Sequence, residues 1–211
     1  MSPEAFEVAA NETEALVLDV RHQNDFAKGH IPNSIFIGID GGFAPWVGAL
    51  IKDINQPILL VAPKDRLVEV ITRLSRVGFD NVIGYLEGGF AAWIESGREV
   101  DTVETISAED FETLKAAKHL NVVDVRKESE YLSEHVMDAV NAPLDEINNY
   151  LSSFSKDDKN YVHCAGGYRS MIANSILKSR GIHNIVDVLG VFGAISKTNV
   201  KVSEFVCPST L

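Results

Sequence analysis

Cys164 is the residue of this chain whose surroundings are best suited to nucleophilic chemistry. It follows an apolar run and precedes a glycine-rich turn in the sequence YVHCAGGYRSMIANSIL. The adjacent glycines Gly166 and Gly167 allow successive backbone N–H groups to point inward and form an anion-binding nest. The helix predicted after them adds the positive end of its dipole, and both features favour a thiolate over a thiol. The sequence therefore predicts a reactive sulfur at Cys164.

Arg169 lies five residues after Cys164, and the pattern leaves two roles open for it. Its guanidinium either adds a fixed positive charge beside the sulfur or braces the loop by bonding its carbonyls. A buried cysteine that only closes a strand is the alternative for Cys164, but it explains neither the glycine pair nor the arginine. A phosphate-binding P-loop is excluded, because neither GxxxxGKS nor GxxxxGKT is present.

An internal repeat supplies the elements that must position this loop. The segment LVLDVRHQNDFAKGHI matches NVVDVRKESEYLSEHV, and TRLSRVGFDNVIGYLEGG matches NSILKSRGIHNIVDVLG. The first match pairs three polar residues of each half, namely Asp19 with Asp124, Arg21 with Arg126 and His30 with His135. Each half also opens with a serine, Ser2 or Ser107, that is expected to cap a helix. The boundary falls in GREVDTVETIS, which predicts domains at residues 1–103 and 104–211.

The sequence of each half predicts an α/β domain. Short apolar runs such as ALVLDV, PILLVA and LNVVDV alternate with segments of helical spacing such as DRLVEVITRLSRVGF. This alternation, with strands that are apolar throughout, predicts a parallel sheet covered by helices on both faces. Ligands of such sheets bind beyond the carboxyl ends of the strands, which is where Cys164 is predicted to lie.

The composition bounds the class of protein. With 211 residues, 45% of them hydrophobic, the chain is long enough for two domains of about 100 residues. The formal net charge of −11 argues against a nucleic-acid surface, so an anionic substrate needs a local positive site. No apolar run reaches the roughly 18 residues of a membrane span, and MSPEAFEVAA lacks the regions of a secretory signal. The two cysteines form no disulfide framework, and a reducing, cytoplasmic location is expected.

Three segments of the chain resemble the rhodanese family of sulfurtransferases. DVRHQNDFAKGHIPNSI is similar to the family's first signature, YLEGGFAAW to its closing segment and CAGGYRS to its active-site loop. The resemblance implies an α/β fold of two tandem rhodanese-like domains, each with a five-stranded parallel-core sheet flanked by helices. It also implies that Cys164 is catalytic and that the following loop residues hold the substrate, namely Ala165, Gly166, Gly167, Tyr168, Arg169 and Ser170.

The reaction implied by the resemblance needs no cofactor and no metal. A small anionic sulfur donor such as thiosulfate loads Cys164 as a persulfide, and a thiol or cyanide then attacks the outer sulfur in ping-pong nucleophilic catalysis. The alternative is a non-catalytic rhodanese-like module that binds or scaffolds a partner, or senses sulfur or oxidants. A related group of cell-cycle phosphatases has one more residue between cysteine and arginine than the four found here, so the shorter loop favours sulfur over phosphate.

Two further segments, IGIDGGFAPWVGALI and FVCPSTL, resemble the rhodanese half of bacterial fusion proteins that carry an upstream metallo-β-lactamase domain. Some relatives of that type are persulfide dioxygenases with a non-haem iron. This chain has no HxHxDH motif, so the metal-binding half is not part of it. Because Ser2 already caps the first predicted helix, little is expected to precede the first domain. The chain is expected to be either a fragment of such a fusion or a natural protein without the metal half.

The first half departs from the active-site pattern. Aligning Arg66 with Arg169 places Val61 at the position of Cys164, and the loop continues as Ala62-Pro63-Lys64-Asp65. The proline removes an N–H donor and the aspartate adds negative charge, so the nest is poor. The first domain is therefore predicted to be structural or to form a partner surface.

Three histidines receive no catalytic role, and two roles stay open for the second cysteine. His30 and His135 are expected to be structural. His163 is expected to point away from Cys164, because side chains alternate along a strand. Cys207 is either a packing residue or a mobile thiol that resolves the persulfide as a disulfide.

Overall fold

The computed structural model describes residues 1–207, apart from the side chain of Val191. The chain divides into two compact units, Met1–Thr102 and Val103–Leu211. The last four letters of FVCPSTL, one of the segments that carried the resemblance to fusion proteins, lie outside the described residues. In the described part, no helix has the length and apolarity that crossing a lipid bilayer requires.

The first unit is a parallel sheet flanked by helices. Its strands are β1 (Leu16–Asp19), β2 (Ile35–Phe36), β3 (Ile58–Val61) and β4 (Val82–Tyr85), in the spatial order β2-β1-β3-β4. Its helices are α1 (Pro3–Thr13), α2 (Gln23–Lys28), α3 (Phe43–Leu50), α4 (Leu67–Ser75) and α5 (Gly89–Glu95), with a 3-10 turn at Lys64–Arg66. Every strand pair is parallel.

The second unit repeats this plan with one more strand. Its strands are β5 (Glu104–Ile106), β6 (Asn121–Asp124), β7 (Val140–Asn141), β8 (Asn160–His163) and β9 (Ile185–Val188), in the order β5-β9-β8-β6-β7. Its helices are α6 (Ala108–Ala117), α7 (Glu128–Ser133), α8 (Tyr168–Ser179) and α9 (Val191–Ile195), with 3-10 turns at Leu144–Asn149 and Leu151–Ser153. All of its strand pairs are parallel as well.

The expectation of five strands in each domain holds for the second unit, whereas the first sheet has four. In the second unit the edge strand β5 pairs with β9, and Leu189 donates its N–H to the carbonyl of Ile106. In the first unit Met1 makes the matching contacts, because its ammonium group donates to the carbonyl of Tyr85 and its carbonyl accepts the N–H of Glu87. One residue forms these edge bonds, which is too short a stretch to count as a strand.

Burial explains why the predicted strands form where the apolar runs lie. Every residue of β3, β8 and β9 is buried, as expected for central strands covered on both faces. The two serines predicted to cap helices do so. The side chain of Ser2 accepts the N–H of Ala5, and that of Ser107 accepts the N–H of Asp110.

The repeated Asp-Arg pair connects the sheet of each unit to its flanking elements. In the second unit Arg126 lies 2.6 Å from the carboxylate of Asp124, donates to the carbonyl of Glu134 at 2.7 Å and lies 4.0 Å from the ring centre of Phe192. The first unit repeats every one of these contacts, with Asp19, Arg21, Gly29 and Phe90. A buried ion pair is costly to break, so these residues are recurrent for structural reasons.

The paired histidines hold the ends of short helices. The Nδ1 atom of His135 lies 2.8 Å from the carbonyl oxygen of Tyr131, and its ring stacks on that tyrosine. His30 makes the same two contacts with Phe26, at 2.9 Å for the polar one. Both histidines thus have the structural role expected for them.

Candidate active site

Cys164 lies where the central strand β8 ends and α8 begins. The chain leaves the sheet after His163, bends through three residues and enters the helix at Tyr168. Gly167 caps this helix with a φ of 73°, a left-handed conformation that glycine adopts without strain. The N–H of Phe192 donates to the carbonyl of Cys164 at 2.9 Å and anchors its backbone. The sulfur is therefore held at the N-terminus of a twelve-residue helix.

A backbone N–H and a hydroxyl group contact the sulfur. The N–H of Gly167 donates to Sγ of Cys164 at 3.1 Å, and Oγ of Ser170 lies 3.5 Å from the same sulfur. The thiol donates to the serine oxygen, and the serine hydroxyl donates to the carbonyl of Gly167 at 3.4 Å. The N–H of Gly167 and the helix dipole stabilise a negative charge at Sγ. Cys164 itself has 0% exposed surface, so its sulfur lies beneath the loop rather than on it.

The six residues predicted to hold substrate take different positions around the sulfur. Ala165 and Gly166 are exposed, and a methyl group added to Gly166 would meet no atom within 4 Å. Gly167, Tyr168 and Arg169 are half-buried, whereas Ser170 is buried beside the sulfur. The exposed rim at Ala165 and Gly166 is thus the side from which a small molecule could reach Cys164.

The guanidinium of Arg169 interacts electrostatically with Cys164, which is one of the two roles that the sequence left open, while a carboxylate holds its side chain. Its two terminal nitrogens donate to the two carboxylate oxygens of Glu130 on α7, at 2.6 Å and 2.9 Å. This hydrogen-bonded pairing lowers the pKa of Glu130 and raises that of Arg169. The arginine ties α8 to α7, and a carboxylate balances its charge. Sequence reasoning missed Glu130, although Asp25 at the matching place of the repeat already showed an acidic residue there.

Replacement of Glu130 by glutamine is expected to destabilise the protein by about 0.5–1 kcal/mol at neutral pH, because Arg169 loses its counter-charge in a half-exposed site. The folded pKa of Glu130 lies below its usual 4.5, so the pair stabilises the fold above that pH and its contribution is lost as the pH falls through the lowered value. Denaturant unfolding of both proteins should therefore show a constant difference above about pH 5 that shrinks at lower pH. The exposed Glu128 on the same helix provides the control, and an equal effect of Glu128→Gln would contradict this prediction.

His163 lies away from the sulfur, against the buried Asp-Arg pair. Its Nε2 atom is 4.0 Å from the carboxylate of Asp124, and its ring stacks on Phe192. Burial lowers the pKa of His163, so the ring is neutral, and within residues 1–207 neither ring nitrogen has a hydrogen-bond partner. The imidazole interacts with the backbone of Cys164 and with Asp124, and its ring stacks on Phe192.

The placement of Val61 at the cysteine position is wrong. Val61 pairs with Asp19 across the sheet as His163 pairs with Asp124, so Ala62 is the structural equivalent of Cys164. The two helices that follow match at a different offset, because Leu74 and Leu177 accept equivalent turn bonds from Phe79 and Ile182. The first loop is therefore one residue shorter than the second, and a sequence alignment anchored on the arginines shifts the strand by one position.

The first loop has a geometry that is poor for binding an anion, as its sequence predicts. Pro63 has no N–H to donate, and residues 64–66 form a 3-10 turn instead of an open nest. Arg66 bonds the carboxylates of Asp40 and Glu69, and this pairing raises the pKa of the arginine. The first loop thus has no cysteine, and two carboxylates balance the charge of its arginine.

Cys207 lies in the final described segment, which packs along α7. Val206 donates its N–H to the carbonyl of Ser133 and accepts the hydroxyl of the same serine. The cysteine is exposed, in contrast to Cys164. In the described part of the chain, no three His, Cys, Asp or Glu side chains are grouped so as to hold a metal ion.

Comparison with known families and structures gives a consistent result. A family model described as a rhodanese-like domain matches the chain twice, at residues 2–96 and 107–197. Among curated proteins, the chain is 28% identical over 95 residues to the "Putative sulfur carrier protein YrkF" of Bacillus subtilis. This match covers 44% of this chain and 51% of that protein. The matched region thus spans about half of the length of that relative.

Two solved structures are similar to parts of this chain or to most of it. A rhodanese-like domain protein from Staphylococcus aureus is 30% identical, with a TM-score of 0.43, over 47% of this chain and 97% of that one. The thiosulfate sulfurtransferase of Pseudomonas aeruginosa is 20% identical, with a TM-score of 0.42, over 95% of this chain and 43% of that one.

Proposed function

Because the chain belongs to the rhodanese-like domain family, we propose that its second unit transfers a sulfane sulfur through a persulfide on Cys164. The observation that carries this proposal is the 3.1 Å contact from the N–H of Gly167 to Sγ, at the N-terminus of α8. A thiolate needs such donors, and a persulfide that extends from it needs the exposed rim beyond. The Bacillus subtilis relative is named as a sulfur carrier protein, which is consistent with sulfur chemistry.

The transfer consists of two displacements at sulfur. The thiolate of Cys164 attacks the sulfane sulfur of a small anionic donor such as thiosulfate, a new S–S bond forms, and the sulfite leaves with the electron pair of the old bond. An acceptor thiolate or cyanide then attacks the outer sulfur. The S–S bond of the persulfide breaks, and its electron pair returns to Sγ of Cys164. No net oxidation occurs on the enzyme, so the cycle needs no cofactor.

The loop that holds the sulfur also limits what can react there. Arg169 is paired with Glu130, so a donor is held mainly by backbone N–H groups of the loop and not by an unpaired cation. The chain carries a net charge of −11, which makes these local donors the main attraction for an anion. A thiol acceptor and a cytoplasmic location complete the proposal, and an upstream metallo-β-lactamase-like domain stays a prediction from the resemblance.

Mass spectrometry after incubation with thiosulfate tests the proposal directly. The peptide that contains Cys164 should gain the mass of one sulfur atom, and a reducing thiol should remove it. The Cys207 peptide serves as an internal control and should stay unchanged. A folded protein whose Cys164 peptide gains no sulfur would contradict the proposal.

A second function has two observations in its favour. Cys164 has 0% exposed surface and the first unit has no cysteine in its loop, which suits a module that binds a partner without turnover. The same mass-spectrometric experiment separates the two functions, because a binding module does not accumulate a persulfide.

A cysteine placed in the first loop is expected to give no activity. In a Cys164→Ser background, Ala62→Cys puts a thiol at the structurally equivalent position, but Pro63 still removes a donor and the loop is still one residue short. The rate of thiocyanate formation from thiosulfate and cyanide should stay at background. Val61→Cys is the matched control, because that side chain is buried in the core with Phe6 and Trp93. Clear activity of Ala62→Cys would show that loop geometry does not limit the first unit.

A further inference from the structure

A cleft lined by Lys115, Lys118 and Lys201, the lysine cleft, lies in the second unit. It encloses about 490 Å³ between the end of α6, the turn before β7 and the segment after α9. Two of the lysines come from the end of α6 and the third from the segment after α9. The other lining side chains that can carry a charge are those of Glu112, His119 and Asp138.

The lysine cleft is separate from the candidate active site. Lys118 and His119 directly precede β6, and Asp138 precedes β7, so the cleft lies at the amino ends of these strands. Cys164 follows the carboxyl end of β8, and all three strands are parallel. The two sites therefore occupy opposite edges of the sheet, and a four-residue strand such as β6 spans about 13 Å between them.

Hydrogen bonds hold the walls of the lysine cleft in place. The carboxylate of Glu112 accepts the backbone N–H and the side-chain amide of Asn199, at 3.1 Å and 2.6 Å, which joins α6 to the segment after α9. Met137 donates its N–H to the carbonyl of Lys201 at 2.9 Å, which joins that segment to the turn before β7. Val200 packs in the hydrophobic core of the unit. The cleft is thus formed in advance, so a ligand would pay little for ordering it.

The charge of the lysine cleft is positive. Within residues 1–207, no ion pair includes any of its three ammonium groups. Glu112 is bonded to the neutral Asn199 instead, and the three lysines outnumber the two carboxylates of the lining. In a chain with a net charge of −11, such a local site is where an anion can be bound.

The first unit shows that the fold does not require these cations. At the spacing that pairs Ser2 with Ser107 and Asp19 with Asp124, three residues of the lysine cleft have counterparts that are not basic, namely Ala10 for Lys115, Thr13 for Lys118 and Glu14 for His119. The last turn of α1 contains no basic residue, although a cation there would interact favourably with the helix dipole. The end of this helix therefore forms without lysines, and their presence in the second unit needs another reason.

We propose that the lysine cleft binds a small phosphate monoester with an aromatic body. Lysine ammonium groups are common ligands of phosphate, and those of two chain segments can surround a doubly charged group. Met137, which is 41% exposed, offers a thioether to an aromatic ring. The volume of the cleft lies in the range of small-molecule sites. Because the site lies outside the proposed sulfur chemistry, its occupant has no need to react at Cys164.

Phenyl phosphate, titrated into the full chain at low salt and followed by two-dimensional amide NMR, tests the proposal. Phenol has the ring without the charge, and inorganic phosphate has the charge without the ring. The amides of residues 115–119, 137–138 and 199–201 should shift, and phenyl phosphate should bind at least about tenfold more tightly than either fragment. Binding no tighter than that of inorganic phosphate, or shifts confined to other parts of the chain, would overturn the proposal.

Substitutions of exposed lysines separate a site from general attraction between charges. Lys201→Ala should weaken the binding of phenyl phosphate by about tenfold, because one charged contact is lost, and Lys118→Glu should weaken it further. Lys127→Ala is the matched control, since Lys127 is exposed and follows β6 at the opposite edge of the sheet. It should bind like the parent, and a loss equal to that of Lys201→Ala would overturn the site. Amide signals that stay in place outside the cleft verify that each variant is folded.

Discussion

Cys164→Ser is expected to reduce sulfur transfer by at least about 1,000-fold, to the background rate. The serine hydroxyl is similar in size and can still accept the N–H of Gly167, but it cannot form a persulfide. The same contacts satisfy the new hydroxyl, so the free energy of unfolding should fall by only about 1 kcal/mol. Steady-state thiocyanate formation from thiosulfate and cyanide measures the rate, and thermal unfolding monitored by circular dichroism measures the fold.

Cys207→Ser is the matched control for this experiment. Cys207 is exposed and lies in the final segment, so its replacement should leave the transfer rate unchanged. Transfer that stays near the parental rate in Cys164→Ser would remove Cys164 from the mechanism. Loss of transfer in both variants would instead show that Cys207 takes part in turnover as a resolving thiol, which is one of the two roles that the sequence left open for it.

Insertion of one glycine after Gly167 is expected to reduce sulfur transfer by about 100-fold or more. The N–H of Gly167 donates to Sγ at 3.1 Å, and a longer loop moves this donor or the helix start away from the sulfur. Cys164 and Arg169 enclose four residues, a tight ring that suits one added sulfur better than a phosphoryl group with its several oxygens. The unmodified protein should therefore transfer sulfur and show little hydrolysis of an aryl phosphate.

Both reactions need to be measured on the same preparations. The matched control is a glycine inserted after Gly181, in the exposed turn that follows α8, which should leave both rates unchanged. Phosphatase turnover that exceeds sulfur transfer in the unmodified protein would overturn the assignment of the loop. Full transfer activity after the insertion at Gly167 would show that ring size does not matter.

The sequence by itself determined the architecture. The repeat of Asp19 and Arg21 as Asp124 and Arg126 revealed two related units, because the same buried ion pair has to be built twice. Strands with apolar residues throughout predicted a parallel sheet covered on both faces, and the buried β3 and β8 confirm it. The glycine pair after Cys164 likewise predicted a turn into a helix N-terminus, since local conformation depends on local residues.

Only the tertiary structure decided which side chains meet. The pairing of Val61 with Asp19 depends on the register between neighbouring strands, and a loop shorter by one residue hides that register from an alignment. Glu130 reaches Arg169 across 39 residues of sequence, and Asn174 on α8 reaches Asp187 because α8 packs on β9. Such contacts follow from the order of strands in the sheet and from how the helices pack on it, and no local pattern of residue types contains that order.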